Sequence, residues 1–503
     1  VAKSLTVKTF SGLKWTTAST VINIILQVGY NIVIARLLPP QDFGIIAMAM
    51  VVLNFGRYII LMGLPQALIQ KKELDTEEIR AAFTSNLILG GFFFILCQIL
   101  APFAIYIIDR EEIIMIVRLM SLVILVECLA SVSTSLIRRN FQFKQLALRN
   151  IGSYIIAYLG IGITMAFLGF RVYSLVAASL SQTIINAILS YSIARHSMIP
   201  IFKWKYYSQL FSFGSKITLI NFLEFLSNAL DTFLIGRLLG SKTLGLYNRA
   251  YFLIQLPMFH LTRSISTVLF PSLSKIQNDP DRLRKVYLSA ITIVGFAMIP
   301  TFAGVALAAE PIIVVLLGAK WGEAVPILQI LAFAAPLRAI NHFAGEICNA
   351  TAKLGPKLIL NIVAISLLLI MFYLLQPLAV IGFALAVIFM DIFKLIGYFF
   401  LVKKIVHFKW FELWQAFLPS LVTTVFCGVF ILGLLKAAQY LSLPLFISFI
   451  ICMLGGILGL LMGLLFKTNE SLRKVIADNF EKVYEKKNIK NQKIKKIVTF
   501  LRY

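Results

Sequence analysis

Stretches of roughly 20–28 residues with little charge follow one another along this chain almost without a break. A helix rises about 1.5 Å per residue, so each stretch can cross the roughly 30 Å hydrocarbon core of a bilayer. The runs lie near 12–37, 43–63, 81–108, 112–137, 150–168, 172–194, 212–239, 245–271, 287–318, 324–350, 355–376, 379–403, 412–438 and 443–466. That predicts about fourteen helical spans. Strands do not fit, because the runs are too long and do not alternate. Of the 503 residues 59% are hydrophobic, with a mean hydropathy of +0.89, whereas a soluble domain has about 45–50% apolar residues. The expected fold class is therefore an all-α polytopic membrane protein. No N-terminal stretch reads as a cleaved signal, since the first run is too polar and too long for one.

The net charge of +25 raises nucleic acid as a partner, and the placement of the charges argues against it. Basic residues gather in alternate connections. Examples are Lys71, Lys72 and Arg80 after span 2, Arg138, Arg139, Lys144 and Arg149 after span 4, and Lys403, Lys404 and Lys409 after span 12. The intervening connections carry at most one each, such as Arg110, Arg171 and Lys242. This is a positive-inside pattern with both termini in the cytoplasm. The excess charge then reports topology and contact with anionic inner-leaflet lipid. In the tail over 467–503, Leu472, Val475, Ile476, Phe480 and Val483 share one helical face among lysines and arginines. It reads as a basic interfacial helix, with a solvated disordered end as the alternative for its last part.

One span carries an unusual polar stripe. Asn221, Glu224, Asn228 and Asp231 are spaced +3, +4 and +3, so a helix places them on one face. A carboxylate in mid-membrane costs roughly 2.5–3.5 kcal/mol on insertion scales, so the face must meet other helices or a water-filled cavity. A constant offset of 201 leads back to Thr20, Asn23, Gln27 and Tyr30 in the first span. The same offset maps Arg36 onto Arg237 and Gly44 onto Gly245. This is an internal duplication in which each copy opens on a polar-faced helix.

Two arginines sit inside apolar runs, Arg57 in span 2 and Arg263 in span 8. Their depths differ by roughly 6 Å at the helical rise, and span 8 holds in the second copy the place of span 2 in the first. One reading has both converge on a single anion, because the guanidinium fork fits phosphate oxygens. The other has each neutralise a carboxylate of its own bundle or snorkel inward. Glu224 and Asp231 are candidate carriers of a coupling H+ or Na+; alternatively they pair with an arginine such as Arg237, Arg57 or Arg263. Arg338 and Glu346 in span 10 and Glu127 in span 4 are further cavity candidates. Asp391 and Lys394 are placed i,i+3 to satisfy each other.

Signals for enzyme chemistry are missing. The five cysteines lie in apolar runs and form no CxxC pair, so neither disulfides nor a zinc site is expected. Gly240-Ser241-Lys242-Thr243 lacks P-loop spacing, and neither HExxH nor GxSxG occurs. No metal or cofactor is expected.

Three segments together resemble a known family. Gly12-Leu13-Lys14-Trp15, the run from Ile34 to Gly44 and the run from Gly63 to Gln70 are similar to the opening of bacterial polysaccharide exporters. These are the Wzx-type flippases, including the colanic and teichuronic acid exporters, of the multidrug/oligosaccharidyl-lipid/polysaccharide superfamily. The resemblance implies two six-helix lobes in a V, related by an axis along the membrane normal, plus two extra helices. On this chain that corresponds to 1–200 and 201–405, then 406–466, with the tail at 467–503. It implies transfer of an undecaprenyl-pyrophosphate-linked oligosaccharide from the inner to the outer leaflet of the bacterial cytoplasmic membrane, and a possible link to polysaccharide polymerase machinery. The related lipid II flippase has cavity arginines in its first, second and eighth helices. Arg57 and Arg263 match the second and eighth, while the first offers only Gln27 and Asn31 at mid-span.

The leading expectation is an alternating-access flippase. Arg57 and Arg263 would hold the pyrophosphate, and Gln27, Asn31, Asn221, Asn228 and Arg338 would meet the rest of the head group. Lacking an ATPase motif, it would draw on an ion gradient, the membrane potential or removal of product. Two alternatives stay open. A cation-coupled drug exporter of the same superfamily would use Glu224 and Asp231 but has no use for the arginines. A membrane glycan polymerase or ligase usually needs a substantial outer loop, and the outer connections here are short.

Overall fold

The computed structural model describes residues 2–60, 68–69, 74–202, 225–226, 229–255, 257–258, 262, 273, 276–351 and 353–466; side chains are described from residue 14 onward, apart from 58–60. Among them the elements are helical and no strand occurs. In chain order they are α1 (Ala2–Leu37), α2 (Pro40–Ile60), α3 (Thr76–Leu100), α4 (Glu112–Arg139), α5 (Phe143–Phe167) and α6 (Val172–Ile193). After the helical stretch 229–255 come α7 (Pro280–Leu307), α8 (Ala309–Leu316), α9 (Val325–Ala350), α10 (Leu354–Leu375), α11 (Ala379–Val406), α12 (Trp410–Tyr440) and α13 (Leu445–Leu465). Among the described residues, ten helical segments are long and apolar enough to cross a membrane, and one of them, Leu354–Val406, contains both α10 and α11. The chain is a multi-pass membrane protein. Most described helix ends fall within a few residues of the expected spans, but α1 begins at Ala2 and takes in Lys3 and Lys8, and α5 and α7 each begin seven residues early, at Phe143 and Pro280.

Two compact units divide the chain, Val1–Asn248 and Arg249–Tyr503. In the first, α3 and α6 pack against α4, α2 also packs against α4, and α1 packs against α5. In the second, α7 packs against α9 and α12, α11 against α9 and α10, and α12 against α13. The two extra C-terminal helices are thus part of the second unit's packing. Gly459 and Gly463 of α13 lie so close to Cys427 and Thr423 of α12 that an added Cβ would come within 2.5 and 2.4 Å of them. Outward faces are strongly apolar. On α10, Ile359, Ile370, Tyr373 and Leu374 are all exposed, as expected of surfaces solvated by lipid.

Many polar groups inside the bundles bond to one another, because hydrocarbon offers no alternative partner. Asn86 of α3 donates to Ser131 Oγ of α4 at 2.6 Å, and Gln98 donates to Ser121 Oγ at 2.9 Å. Arg149 donates to Ser190 Oγ and Thr134 Oγ1, tying α5 to α6 and α4. Arg80 donates to the Ile199 carbonyl. Several of the basic residues that report topology therefore also pin helix ends. The five cysteines are free and buried.

Positions related by the offset of 201 meet inside the first unit. A Cβ at Gly44 would lie 1.8 Å from the Ser241 carbonyl oxygen, and a Cβ at Gly245 would lie 1.8 Å from the Pro40 carbonyl oxygen. Gly44 and Gly245 are related by the offset of 201, as are Pro40 and Ser241. Corresponding turns of the two copies thus touch through reciprocal backbone contacts, and only glycine fits. Gly44→Ala and Gly245→Ala should each lower the melting temperature of the purified protein, at a cost of about 1–3 kcal/mol from overpacking. Gly29→Ala, with nothing within 4 Å of its Cβ, should not. Equal melting of all three variants would mean that the contact does not form.

Candidate functional site

Asn54 and Arg57 stand three residues apart on α2 and so share a face. α4, which packs on α2, brings Glu127 to the same place. Arg57 Nε donates to Glu127 Oε2 at 2.8 Å, and Arg57 Nη2 donates to Oε1 at 2.7 Å. Arg57 Nη1 donates to Asn54 Oδ1 at 3.0 Å. The pair is bidentate, the strongest form of guanidinium–carboxylate contact. Each side chain of the pair is 31% exposed, so the charges are partly desolvated yet reachable. Guanidinium has five N–H donors, and three of Arg57's are taken by these bonds.

The neighbouring wall comes from α5, whose middle turn, Ile155–Gly162, is a π-helix. Such insertions are rare and recur at functional sites. This one carries Tyr158, which is hydrogen-bonded to Ser179 of α6 and lies within electrostatic reach of Arg57 and Glu127. Tyr154 and Tyr158 stack at 4.5 Å, and Tyr30 of α1 meets Tyr158 edge-on at 4.9 Å. A charged pair, an amide and a set of tyrosines thus line one place within the first unit. Such a mixture can bind an anion and stack against sugar-like rings.

The second unit holds a comparable pair. Arg338 Nε of α9 donates to Asp391 Oδ2 of α11 at 2.8 Å, and its Nη1 donates to the Tyr251 hydroxyl at 2.8 Å. The guanidinium also lies 5.3 Å from the Tyr251 ring centre. Asn341 donates to the Asp391 main-chain carbonyl. Side-chain exposures of 18% and 3% make this pair the more buried of the two. Asp391 is therefore held by an arginine fifty-three positions away in sequence, a partner that the i,i+3 spacing to Lys394 does not suggest.

Asp231 is also buried. It accepts from the Tyr247 hydroxyl at 2.7 Å and from the Thr232 amide at 2.6 Å, so its partners among the described residues are neutral donors and not Arg237. In α1, Asn31 donates to the Gln27 carbonyl, Asn23 to the Ser19 carbonyl and Thr20 to the Thr16 carbonyl. Much of the first polar stripe is therefore bonded back to its own helix, and Gln27 and Asn31 are half-buried. Asn221, Glu224, Asn228 and Arg263 lie outside the described residues, as do His260 and the tail over 467–503.

Reasoning from sequence passed over Asn54, Tyr158 and Tyr251. Asn54 could have been found from its i,i+3 spacing to Arg57. Tyr251 and the π-turn leave no local signal. In the second unit, Asp391→Ala strands a buried guanidinium and should cost about 3–5 kcal/mol of stability. The apolar double replacement Arg338→Met with Asp391→Leu should recover most of it. Melting of the three detergent-purified proteins checks this; a double variant as unstable as the single one contradicts it.

A profile of the family described as "Polysaccharide biosynthesis protein" matches residues 33–326, more than half of the chain. A Klebsiella pneumoniae protein described as an uncharacterized membrane protein in the cps region is 28% identical over 415 residues, 80% of this chain and 84% of the relative. Lipopolysaccharide biosynthesis protein WzxC of Escherichia coli (strain K12) is 24% identical over 451 residues, 86% of this chain and 89% of the relative. Among solved structures, lipid II flippase MurJ in an inward closed conformation matches with a TM-score of 0.68 at 19% identity, covering 89% of this chain and 97% of MurJ. That likeness is one of fold. With the profile spanning more than half of its length, this chain belongs to the polysaccharide biosynthesis protein family.

Proposed function

We propose that the protein is a flippase for a lipid-linked oligosaccharide of surface-polysaccharide biosynthesis. It acts in the bacterial cytoplasmic membrane with both termini inside. The observation that carries this reading is Arg57, a half-buried guanidinium on α2 that already makes a two-oxygen contact. A phosphate offers the same pair of oxygens. The lipid is undecaprenyl pyrophosphate, whose tail stays in hydrocarbon while the head group takes the polar path.

The working repeats run over 1–200 and 201–405, with helices over 406–466 appended and the basic tail on anionic inner-leaflet lipid. Arg57 and Arg263 bind the pyrophosphate. Gln27, Asn31, Asn221, Asn228 and Arg338 meet the rest of the head group. Glu224 and Asp231 are the ion-coupling candidates, for H+ or Na+. Polysaccharide polymerase machinery takes the product on the outer side. The membership in a polysaccharide biosynthesis family supports the reading as an exporter of a polysaccharide precursor.

The test is export in the native host. Arg57→Gln and Arg263→Gln should each abolish surface polysaccharide while the protein remains in the membrane fraction at wild-type level. Full export by both variants contradicts the anion site.

A further inference from the structure

Resting on that reading, we propose that Glu127 is a resident counter-anion that the cargo's phosphate must displace from Arg57. A carboxylate and a phosphate compete for the same guanidinium edge, since each presents two oxygens to Nε–H and Nη2–H. Glu127 occupies that edge with both of its oxygens. The site in its resting form is therefore filled by the protein's own anion.

Among the described residues, carboxylates that meet an arginine from elsewhere in the fold differ in how easily they could exchange. In Arg338–Asp391 the carboxylate side chain is only 3% exposed, and its residue is held again through the backbone by Asn341. In Arg171–Asp42 the carboxylate side chain is 2% exposed. Both of these carboxylates are sealed inside the packing. Glu127 is 31% exposed and accepts from Arg57 on both oxygens. It can leave the guanidinium and remain partly solvated, with Tyr158 within electrostatic reach. Asn54 meanwhile stays on Nη1 and keeps the guanidinium aimed while its partner changes.

This arrangement answers a demand common to carriers. A site must hold its cargo and then let it go, so binding has to be weak enough to reverse. A guanidinium without a resident partner in a low-dielectric bundle would hold a pyrophosphate too tightly and would be costly when empty. Glu127 lowers both costs. It neutralises Arg57 between cycles, and it competes with the bound phosphate so that release is fast. Loss of the carboxylate should therefore strengthen anion binding and weaken turnover, an opposite pair of effects.

The probe is inorganic pyrophosphate, titrated calorimetrically at low ionic strength into the full-length protein in nanodiscs. Glu127→Gln should bind it about tenfold or more tightly than wild type, a difference of about 1.4 kcal/mol or more. Arg57→Gln and the double variant should not bind it. In cells Glu127→Gln should export more slowly than wild type at equal protein level. Glu127→Asp, one methylene too short to close both bonds, provides a second reading if Glu127→Gln folds poorly; it should also bind pyrophosphate more tightly. Affinity in both variants equal to or below wild type overturns the proposal, as does absence of binding in every variant. If Arg57→Gln abolishes export while Glu127 variants leave affinity unchanged, only the counter-anion role falls. If Arg57→Gln exports normally, the anion site itself falls.

Discussion

A charge placed inside a bilayer has to be answered from within the protein. Hydrocarbon supplies neither hydrogen bonds nor dielectric screening, so each ionised side chain in the helices must find a partner or reach water. Arg57, Asp391 and Asp42 all obey this constraint, through Glu127, Arg338 and Arg171 respectively. What separates the pairs is exposure. The deeply buried carboxylates of Asp391 and Asp42 behave as fastenings between helices. The pair on α2 and α4 is open enough for its contacts to be exchanged, and functional chemistry is expected where a charged contact can be remade.

The packing around that pair follows from the same economy of polar groups. Serine, threonine and asparagine side chains bond to carbonyls a turn earlier, as Thr20, Asn23 and Asn31 do. Others join helix to helix, as Asn86 does to Ser131. The π-turn of α5 is the local irregularity, and it falls where Tyr158 comes close to the ion pair. At the turns over 40–44 and 241–245, glycine removes the side chain altogether so that backbones meet. The duplicated positions meet each other there, which gives the offset of 201 in the sequence a physical expression.

Much of the architecture was readable from hydropathy alone. Long apolar runs have few ways to satisfy their backbone in a membrane, and helices are the one that matches their length. Arg36, Gly44 and the polar stripe recur at one offset in the sequence. The partners of the charges were not legible. Arg57 lies seventy positions from Glu127 and Arg338 fifty-three from Asp391, and no local pattern encodes such pairing. The i,i+3 spacing of Asp391 and Lys394 gave no hint of Arg338, which tertiary packing brings to Asp391 from another helix. Of the two roles open to Asp231, pairing with Arg237 is not the one observed, since it accepts from Tyr247 and Thr232. Three of the four residues of the polar stripe that first suggested a cavity, Asn221, Glu224 and Asn228, lie outside the described residues.

The account stands on the capacity of a membrane-embedded guanidinium to receive a phosphate head group. Transbilayer movement of an undecaprenyl-pyrophosphate-linked glycan in liposomes reconstituted with the purified protein tests it most directly. The account predicts movement with wild type and a loss to the protein-free rate with Arg57→Gln. Movement at the wild-type rate by the variant, or none by the wild type under an imposed ion gradient and membrane potential, would contradict it.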